Sequence, residues 1–430
     1  MSRMIFLELN EVNFDFVERY IKIGHLPNFK KFLDNHGYQK TTSEEVYENI
    51  EPWIQWTSIH TGLSFERHRI FRLGDMAGSG LRQIWEDLEA NGLKVGAVSP
   101  MNAINQTKNP AFFFPDPWTF TPASGSFILK KVYQSISQCV RYNADARITN
   151  KSKMFLFLGL LFYGKVSSLD RYFKFLVKSK RNHSFSAIFL DRFLADIYVR
   201  LWKRCKPDFS TLFLNGAAHI QHHYMFNSKV YSGKKKNPDW YINHNLDPLF
   251  DVYELYDEIL GELLKIEKNI CIMIATGLSQ EPHEAEIYYY RLKNHAEFIR
   301  HLGIRFKEIQ IRMSRDFLIT FESTSLCDKA AQVIERIADI NGKPVFEADN
   351  RGLSLFVTLS YPYEIKPNFN VYLDGKKIEF GNQVLFIAIK NAHHNGIGYF
   401  FNSLVESSKV LEPMPVWAIK GKILEFFNIT

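Results

Sequence analysis

Short apolar runs alternate along this chain with amphipathic segments, and this alternation restricts the possible fold more than any other feature. Residues 4–9 (MIFLEL), 211–214 (TLFL) and 270–275 (ICIMIA) are typical of buried strands. Residues 81–92 and 251–265 carry apolar residues at helical spacing. Strands that alternate with helices favour a mostly parallel central sheet with helices on its faces. We therefore expect an α/β fold of this kind.

Two stretches interrupt the alternation. Residues 124–205 are basic and helical in pattern, and residues 305–382 indicate a small α+β insertion. We expect a helical cap and an insertion between three parts of one core, with residues 383–390 (QVLFIAIK) returning to the main sheet. The predicted segments are core 1–123, cap 124–205, core 206–304, insertion 305–382 and core 383–430.

Composition limits the class of protein and its partners. The 430 residues contain 53 basic and 46 acidic side chains, so the net charge is 53 − 46 = +7. This balance is compatible with an anionic small-molecule or glycan substrate, and no nucleic-acid signature or Walker loop accompanies it. The basic, aromatic segment 128–181 leaves two interpretations open: a peripheral contact with an anionic membrane and, more simply, a cap packed on the core.

Cysteine usage and the N-terminal sequence bear on localisation. The four cysteines are far apart and form no CxxC pair, which is typical of a reducing compartment. The first fifteen residues lack the long apolar region of a signal peptide. We therefore expect a cytoplasmic protein, and the sequence leaves its oligomeric state open.

Polar clusters follow three of the predicted strands, and a fourth cluster lies in a predicted loop. Ligands of parallel sheets bind at the carboxyl ends of strands, so these clusters are expected to converge. Converging carboxylates and neutral imidazoles are what a zinc-type site needs. A His pair at i, i+4 is also common on an ordinary helix face, so spacing alone leaves the metal open. The clusters are residues 8–11 (ELNE), 51–62 (EPWIQWTSIHTG), 215–223 (NGAAHIQHH) and 391–396 (NAHHNG).

Six segments along the chain form a set of ordered landmarks: MIFLELNE, GHLPNF, WTSIHTGLSFERH, IWEDLEANGLKVG, YDEILG and PVWAIKGKILEFF. They fall within residues 1–105, 210–280 and 385–430. In their order and spacing they resemble the alkaline phosphatase superfamily, and most closely its type I phosphodiesterase/nucleotide pyrophosphatase branch. The resemblance implies phospho-, sulfo- or phosphonate-ester chemistry at two metal ions, with a Thr or Ser nucleophile.

The resemblance also implies that several standard site residues are replaced. The first metal-binding Asp corresponds to Asn10, and the nucleophile corresponds to Pro52, which cannot attack. The Asp-x-x-x-His motif places its His on His222 and its Asp on Ala218, or in a shifted register on His219 and Asn215. The Asp-His-Gly motif falls on residues 276–277 without either ligand, and the last His corresponds to His394 or else His393.

Three interpretations follow. The favoured one is a non-standard, metal-dependent phosphoric ester hydrolase or transferase with one or two zinc or manganese ions, serving cell-surface glycan assembly. The second is a degenerate member that binds a phosphorylated ligand or a partner protein without turnover. The third limits the resemblance to the fold, because fold does not fix function.

The candidate site residues fall into three predicted roles. The carboxylate that a divalent ion needs is supplied in this hypothesis by a glutamate: Glu8, Glu11, Glu51, Glu281 or Glu284. The metal-site candidates are Asn10, Glu11, His222 and His394; the catalytic candidates are Glu51, Thr57 and Ser58; the substrate-binding candidates are Gln55, Trp56, His219, His223 and Gln280.

Overall fold

The structure is a computed structural model that describes residues 3–44, 46, 50–141, 148–182, 184–312, 315–405 and 412–429. The strands in this part of the chain are β1 (Met4–Leu9), β2 (Gln39–Thr42), β3 (Val95–Val98), β4 (Phe112–Phe114), β5 (Phe209–Leu214), β6 (Cys271–Ala275), β7 (Ser279–Leu292), β8 (Glu308–Ile311), β9 (Asp316–Thr320), β10 (Phe346–Asn350), β11 (Ser354–Leu359), β12 (Asn370–Leu373), β13 (Lys376–Glu379), β14 (Val384–Asn395), β15 (Ile397–Asn402) and β16 (Met414–Pro415). The helices are α1 (Phe14–Lys22), α2 (Pro27–His36), α3 (Pro52–Thr61), α4 (Phe65–His68), α5 (Ile84–Ala90), α6 (Phe127–Arg141), α7 (Asn150–Tyr163), α8 (Leu169–Arg181), α9 (Phe185–Cys205), α10 (Gly216–Tyr224), α11 (Pro248–Leu263), α12 (His295–His301), α13 (Thr324–Glu335) and α14 (Ile419–Phe426).

An eight-stranded sheet with the order β16-β2-β15-β6-β1-β5-β3-β4 organises residues 1–282 and 392–430, which form the first of two compact units. Strand β1 is central and pairs in parallel with β5 and β6. Strand β15 is antiparallel to both of its neighbours, and the other pairs are parallel. The expected α/β fold with a mostly parallel sheet flanked by helices is confirmed.

The side chains of β1 alternate between two hydrophobic cores, one on each face of the sheet. Ile5, Leu7 and Leu9 belong to the larger core, and Met4 and Phe6 belong to the smaller one. This alternation follows from the two-residue period of a strand. The strand is buried along its whole length and ends at Leu9. The residues that follow Leu9 therefore lie at the carboxyl edge of the sheet.

The interval 124–205 contains helices α6 to α9, and these belong to the same compact unit as the sheet. Helix α9 contributes Ile188, Phe193, Tyr198 and Trp202 to the larger core. Its buried apolar residues recur on most sides of the helix, so α9 is a core helix within the interval predicted to be a cap.

Residues 283–391 form the second compact unit, which has its own hydrophobic core. Its four-stranded antiparallel sheet has the order β10-β11-β9-β8, and α13 packs against β10 and β11. This unit contains the whole expected insertion 305–382 and is wider on both sides. The reason is that Tyr290, Leu292, Phe298 and Val384 contribute to the same core.

The expected return of residues 383–390 to the main sheet is wrong. These residues belong mainly to β14, which pairs with β7 in a separate two-stranded sheet. Leu385 and Ile387 on this strand are 48% and 38% exposed, whereas a strand inside a covered parallel sheet is buried on both faces. The strand that rejoins the main sheet is β15, which follows the NAHHNG cluster.

Among the described residues, no helix is both long and apolar enough to cross a membrane.

Candidate metal centre

Glu11 is held rigidly at the carboxyl edge of the sheet. Its backbone lies in the left-handed region, with φ of 60°, two residues after the end of β1. Its N–H donates to the carbonyl oxygen of Thr276 at 3.0 Å, and its carbonyl oxygen accepts from Nε2 of Gln221 at 2.7 Å. A non-glycine residue in this backbone region is uncommon and usually held by its surroundings. Here hydrogen bonds from two other segments fix the direction of the Glu11 side chain.

His222 and His394 converge on the carboxylate of Glu11. The Nε2 atom of His222, on α10, lies 3.4 Å from Glu11 Oε2, and the Nε2 atom of His394, on β14, lies 3.2 Å from the same oxygen. The two imidazole rings have their centroids 5.1 Å apart. One ligand atom from each of the three residues lies within 4.8 Å of the others. Glu11 is buried, and both histidines are partly accessible.

Glu11 is ionised at neutral pH. Burial opposes its charged form. When the rings of His394 and His222 carry a proton, their charge and their hydrogen bonds to the carboxylate outweigh burial and hold the pKa of Glu11 well below its usual range. A buried carboxylate beside two imidazoles is an unusual concentration of ligand atoms, since buried charges need a partner or a metal.

The orientation of His222 indicates what the cluster is built to hold. Its Nδ1 atom lies 3.3 Å from the carbonyl oxygen of Ala392, and a carbonyl only accepts, so Nδ1 carries the hydrogen. In a neutral ring the Nε2 atom then presents a lone pair to the Glu11 carboxylate, which is also an acceptor. Two acceptors facing each other at 3.4 Å need a proton or a cation between them. A backbone carbonyl that fixes the tautomer is also the usual outer partner of a metal-binding histidine.

The distances fit a tetrahedral zinc-type site. Two ligands at about 2.0–2.1 Å from one ion in a tetrahedral arrangement are separated by about 3.3 Å. The observed separations from Glu11 Oε2 to the two histidine nitrogens are 3.4 and 3.2 Å. Two His and one Glu are also the ligand set of one class of catalytic zinc site, in which a fourth position stays open. The donor set therefore fits a single divalent ion.

Asn10, expected among the metal ligands, instead directs its amide at Glu11. Trp56 Nε1 is only a donor, and it lies 2.6 Å from Asn10 Oδ1, which fixes the orientation of the amide. The Nδ2 atom of Asn10 then donates to Glu11 Oε1 at 2.9 Å and to Asn215 Oδ1 at 2.7 Å. With its oxygen engaged by Trp56, Asn10 acts as a positioning residue for the carboxylate.

Gln280, expected to bind substrate, has a similar role on the other oxygen of Glu11. Its Nε2 atom donates to Glu11 Oε2 and to the carbonyl oxygen of Ala218, the second at 3.0 Å. Its Oε1 atom is buried and has no hydrogen-bond partner among the described residues. Asn13 stabilises the backbone at Gln280, because its Nδ2 atom donates to the backbone oxygen of Gln280 at 2.7 Å.

The start of α10, which carries His222, is fixed by a residue that sequence reasoning missed. Asp191, buried on α9, accepts hydrogen bonds from the backbone N–H groups of Asn215 at 3.2 Å and Gly216 at 2.6 Å and from the hydroxyl of Tyr256 at 2.6 Å. Burial raises the pKa of Asp191 to about 6 against these bonds. A side chain at Gly216 would collide with Asp191, since a Cβ there would lie 2.6 Å from Oδ2. No motif marks Asp191, because the groups that donate to it come from distant segments of the chain.

Glu51 is beside the cluster, but the predicted nucleophiles are held inside α3. Glu51 precedes α3, and its Oε2 atom lies 3.6 Å from His394 Nδ1, which is ion-pair range. The Thr57 hydroxyl donates to the carbonyl oxygen of Trp53 at 2.8 Å and accepts from Asn102 Nδ2 at 3.1 Å. These bonds and the complete burial of Thr57 give its hydroxyl a structural role.

Ser58 is also buried, and its neighbour His68 does not activate it. The Nδ1 atom of His68 accepts from the backbone N–H of Ile70 at 3.0 Å, so the ring hydrogen is on Nε2. That Nε2–H donates to the Ser58 hydroxyl oxygen at 3.0 Å. Burial lowers the pKa of His68 to about 4, so it stays neutral and gives Ser58 no base.

A second buried pair lies on the smaller core and is separate from the candidate metal ligands. His60 Nε2 lies 3.1 Å from Glu8 Oε2, and Thr211 donates its hydroxyl to Glu8 Oε1. The His60 ring packs between Trp56 and Trp85, at centroid distances of 5.9 and 5.0 Å. Gln55 and Trp56, both predicted to bind substrate, are fully buried on the same helix as His60. Of the five candidate glutamates, Glu11 is the one placed between two imidazoles.

Three further histidines belong to the same two sequence clusters as His222 and His394. His219 is exposed and His223 is partly exposed on α10, with ring centroids 5.2 Å apart. His393 pairs with Glu281 at 3.0 Å, so His394 is the member of that dipeptide that reaches Glu11.

An open cavity of about 230 Å³ lies next to the His393–Glu281 pair. Asn395, which donates to Glu281 Oε2 at 3.0 Å, forms part of its wall. Arg19 and Lys40 bring positive charge to the same wall. Its lining also includes Asn13, Asp15, Ser232 and Tyr399.

No protein-family profile and no curated protein matches the sequence. Among solved structures, the chain is similar to murine ectonucleotide pyrophosphatase/phosphodiesterase 5, at 11% identity and a TM-score of 0.47, over 100% of this chain and 96% of that one. It is also similar to phosphonoacetate hydrolase from Sinorhizobium meliloti 1021, at 12% identity and a TM-score of 0.46, over 99% and 95% of the two chains. The structure of human ectonucleotide pyrophosphatase/phosphodiesterase 5 gives 10% identity and a TM-score of 0.46, over 100% of this chain and 96% of that one. At such values, the function has to be argued from the geometry of the Glu11–His222–His394 cluster itself.

Proposed function

We propose that this chain is a metal-dependent enzyme that hydrolyses or transfers a phospho- or sulfo-ester, with one divalent ion held by Glu11, His222 and His394. The observation that carries the proposal is the placement of two imidazole nitrogens 3.4 and 3.2 Å from one oxygen of a buried, ionised carboxylate. Zinc or manganese is the expected ion, since both accept nitrogen and oxygen ligands. When bound, such an ion polarises an ester oxygen and lowers the pKa of a coordinated water.

The chain's own residues position this site. Asn10 and Gln280 donate to the two oxygens of Glu11, the backbone oxygen of Ala392 orients His222, and Glu51 lies beside His394 Nδ1. Outer contacts of this kind orient metal ligands and increase their basicity. The site therefore has supporting contacts for each of its three ligands.

The attacking group in this proposal is water. Pro52 stands at the position of the family nucleophile, and the hydroxyls of Thr57 and Ser58 are engaged inside α3. We assign proton acceptance to His223, whose ring centroid lies 6.2 Å from that of His222 and which is partly accessible. Histidine is the side chain that most often acts as general base in enzymes.

The substrate in this proposal is anionic. In the wall of the cavity of about 230 Å³, Arg19 and Lys40 offer cationic groups to such a substrate, next to the carboxylates of Asp15 and Glu281. Its volume is below the range of about 300–1,000 Å³ for drug-sized ligands, so it suits one part of a larger molecule, such as a sugar or phosphate group. We further propose that the substrate is an ester used in cell-surface glycan assembly.

One observation favours the alternative of a binding protein without turnover. Asn10 replaces a carboxylate with an amide whose oxygen is already bonded to Trp56, and the Thr276–Gly277 segment offers no imidazole or carboxylate. Among the described residues, the only group of three potential ligands is Glu11, His222 and His394. A chain that kept the pocket and lost the second ion would bind a phosphorylated ligand and release it unchanged.

The deciding experiment measures metal content by elemental mass spectrometry. We expect about one equivalent of zinc or manganese in the wild type and loss of that ion in His222→Ala and His394→Ala. His219→Ala, on the exposed side of the same helix, is the matched control and is expected to keep the ion. The loaded protein is then assayed with an activated phosphodiester such as bis(p-nitrophenyl) phosphate. A wild type that binds no ion even with excess zinc or manganese would refute the proposal, and a loaded protein inactive on a broad ester panel would favour the binding alternative.

A further inference from the structure

Helix α7 presents an apolar stripe to solvent. Met154, Phe157, Leu161 and Phe162 are exposed and recur at the three- and four-residue spacing of one helix face. Phe157 is 61% exposed. The opposite face, with Phe155, Gly159 and Tyr163, is buried. The solvent-facing side of a surface helix normally carries polar side chains, so an exposed apolar stripe calls for an explanation.

Helix α8 repeats the pattern. Leu169, Phe173, Leu176 and Val177 face solvent at helical spacing, and Phe173 is 72% exposed. Between the two helices, Val166 is 84% exposed. Together these nine residues, four from each helix and Val166, are named the outer apolar face.

Ion pairs lock α8 in this orientation. Arg171 pairs with Glu254 at 2.9 Å and also with Glu258, and Lys174 pairs with Asp251 at 2.8 Å. Lys178 pairs with Asp251 as well. The charged side of α8 is thus turned inward onto the acidic side of α11. Rotating α8 to hide Phe173 would break these partly buried pairs, so the exposure of the apolar stripe is built into the fold.

The two stripes lie on the same outer layer. A Cβ on Gly159 of α7 would lie 3.0 Å from the ring of Phe193, and the ring of Tyr172 of α8 lies 6.5 Å from that ring. Both helices therefore cover the same part of α9, and their opposite faces point away from it.

The charges around the outer apolar face are basic. Lys151 and Lys153 are exposed at the start of α7, and Lys180 is exposed near the end of α8. Asp170 is the single acidic residue in the sequence between residues 148 and 182. Lysines that flank an apolar stripe reach anionic headgroups while the stripe enters the acyl boundary. A soluble protein partner would need acidic groups to match these lysines, whereas an anionic bilayer supplies both the apolar layer and the charge.

From this arrangement we propose that the outer apolar face docks the protein on an anionic membrane surface. At 14 residues α7 is shorter than the roughly 20 residues that span a bilayer, so the helices lie along the surface. The nine exposed apolar side chains enter the bilayer interface, and the flanking lysines give the binding a preference for acidic lipids. This inference is independent of the metal centre.

Vesicle co-sedimentation of the full chain tests the inference. We expect binding to vesicles of phosphatidylglycerol and phosphatidylcholine at physiological salt, and much weaker binding to phosphatidylcholine alone. The double variant Phe157→Ser/Phe173→Ser is expected to bind at least about tenfold more weakly, because two aromatic side chains no longer leave water. Lys151→Gln/Lys153→Gln is expected to lose most of the preference for acidic lipid.

Ile340→Ser is the matched control, since Ile340 is 77% exposed on the other compact unit. It is expected to bind vesicles as the wild type does. Thermal melts check that each variant is folded. Absence of wild-type binding to acidic vesicles, or equal binding by the Phe157→Ser/Phe173→Ser variant, would overturn the proposal. A lipid-free dimer that this variant dissociates would also overturn it, by showing that a second copy covers the face.

Discussion

The Nε2 atom of His394 lies 3.2 Å from the Oε2 atom of Glu11, although the two residues come from opposite ends of the chain. Glu11 follows the central strand β1, and His394 lies near the end of β14, just before the chain enters the main sheet through β15. This convergence of distant segments at the carboxyl edge of a parallel sheet is typical of ligand sites in α/β proteins. It makes Glu11 the residue on which the candidate ion site depends.

Glu11→Gln is expected to reduce zinc affinity by at least about a hundredfold, because it removes the single carboxylate while keeping the shape of the side chain. Competition with a chromophoric zinc chelator measures this change. Glu281→Gln is the matched control, since Glu281 pairs with His393 outside the cluster and is expected to leave affinity unchanged. Equal zinc affinity in Glu11→Gln and the wild type would remove Glu11 from the site.

Asn10→Asp is expected to make stability depend on metal. Asn10 Nδ2 donates to Glu11 Oε1 at 2.9 Å, so an aspartate would place two buried carboxylates against each other. Removing the donor from a buried, charged acceptor costs about 1–3 kcal/mol or more. We expect a lower melting temperature without metal and a larger rise on adding zinc than in the wild type.

Asn35→Asp makes the same chemical change at an exposed position and serves as the control. It is expected to alter neither the melting temperature nor its response to zinc. An Asn10→Asp protein as stable as the wild type in the presence of a chelator would contradict the assigned role of Asn10.

The parallel core was predictable from sequence because β1, β5 and β6 are continuous apolar runs that leave little alternative to burial on both faces. The residues after them, Glu11 and His222, were predictable for the same reason. The role of β14 was not. Its sequence is as apolar as a core strand, and only the partner β7 determines that it stands outside the main sheet.

Side-chain roles that depend on orientation were beyond sequence reasoning. The position of Asn10 predicts a metal ligand, but the indole N–H of Trp56 donates to its side-chain oxygen. Ser58 was expected to be a nucleophile, but the tautomer of His68 that Ile70 imposes makes Ser58 an acceptor. Such hydrogen-bond directions arise from contacts between segments, which residue spacing does not encode.

Ser58→Ala is expected to lower stability and leave any phosphodiester turnover unchanged. The substitution removes the acceptor of the His68 Nε2–H in a buried site, and an unsatisfied donor costs about 1–3 kcal/mol. Denaturant unfolding and turnover of bis(p-nitrophenyl) phosphate are measured on the same preparation. Thr57→Val, which keeps the branched shape, is the companion variant with the same expectation. Loss of turnover in a folded Ser58→Ala protein would restore Ser58 as a candidate nucleophile.

His60→Ala is expected to destabilise the protein by about 3–5 kcal/mol, because it leaves the buried Glu8 without its imidazole partner. Metal content is expected to stay at the wild-type level, since Glu8 and His60 are not part of the ligand cluster. The double variant Glu8→Leu/His60→Leu is expected to lose less stability than His60→Ala, because neither polar group remains unpaired. A double variant less stable than His60→Ala would show that the pair itself is a net source of stability.

His68 is expected to make the fold sensitive to mild acid. Burial lowers its folded-state pKa to about 4, below the value near 6.5 of an unfolded histidine. Between these values the unfolded chain binds the proton and the folded chain does not, so stability rises with pH. The stability that neutral His68 contributes is present above about pH 6.5 and is lost as the pH falls towards 4, a change on the order of 2–3 kcal/mol.

His295, whose pKa burial also lowers to about 4, acts in the same direction, so the effect of His68 is measured as a difference. Unfolding of His68→Gln, compared with wild type from pH 4 to 7, is expected to show a shallower slope, because the amide can still donate to Ser58 but does not titrate. His301→Gln, at an exposed helix end, is expected to keep the wild-type slope, and an identical slope in His68→Gln would mean that His68 is not the acid-sensitive group.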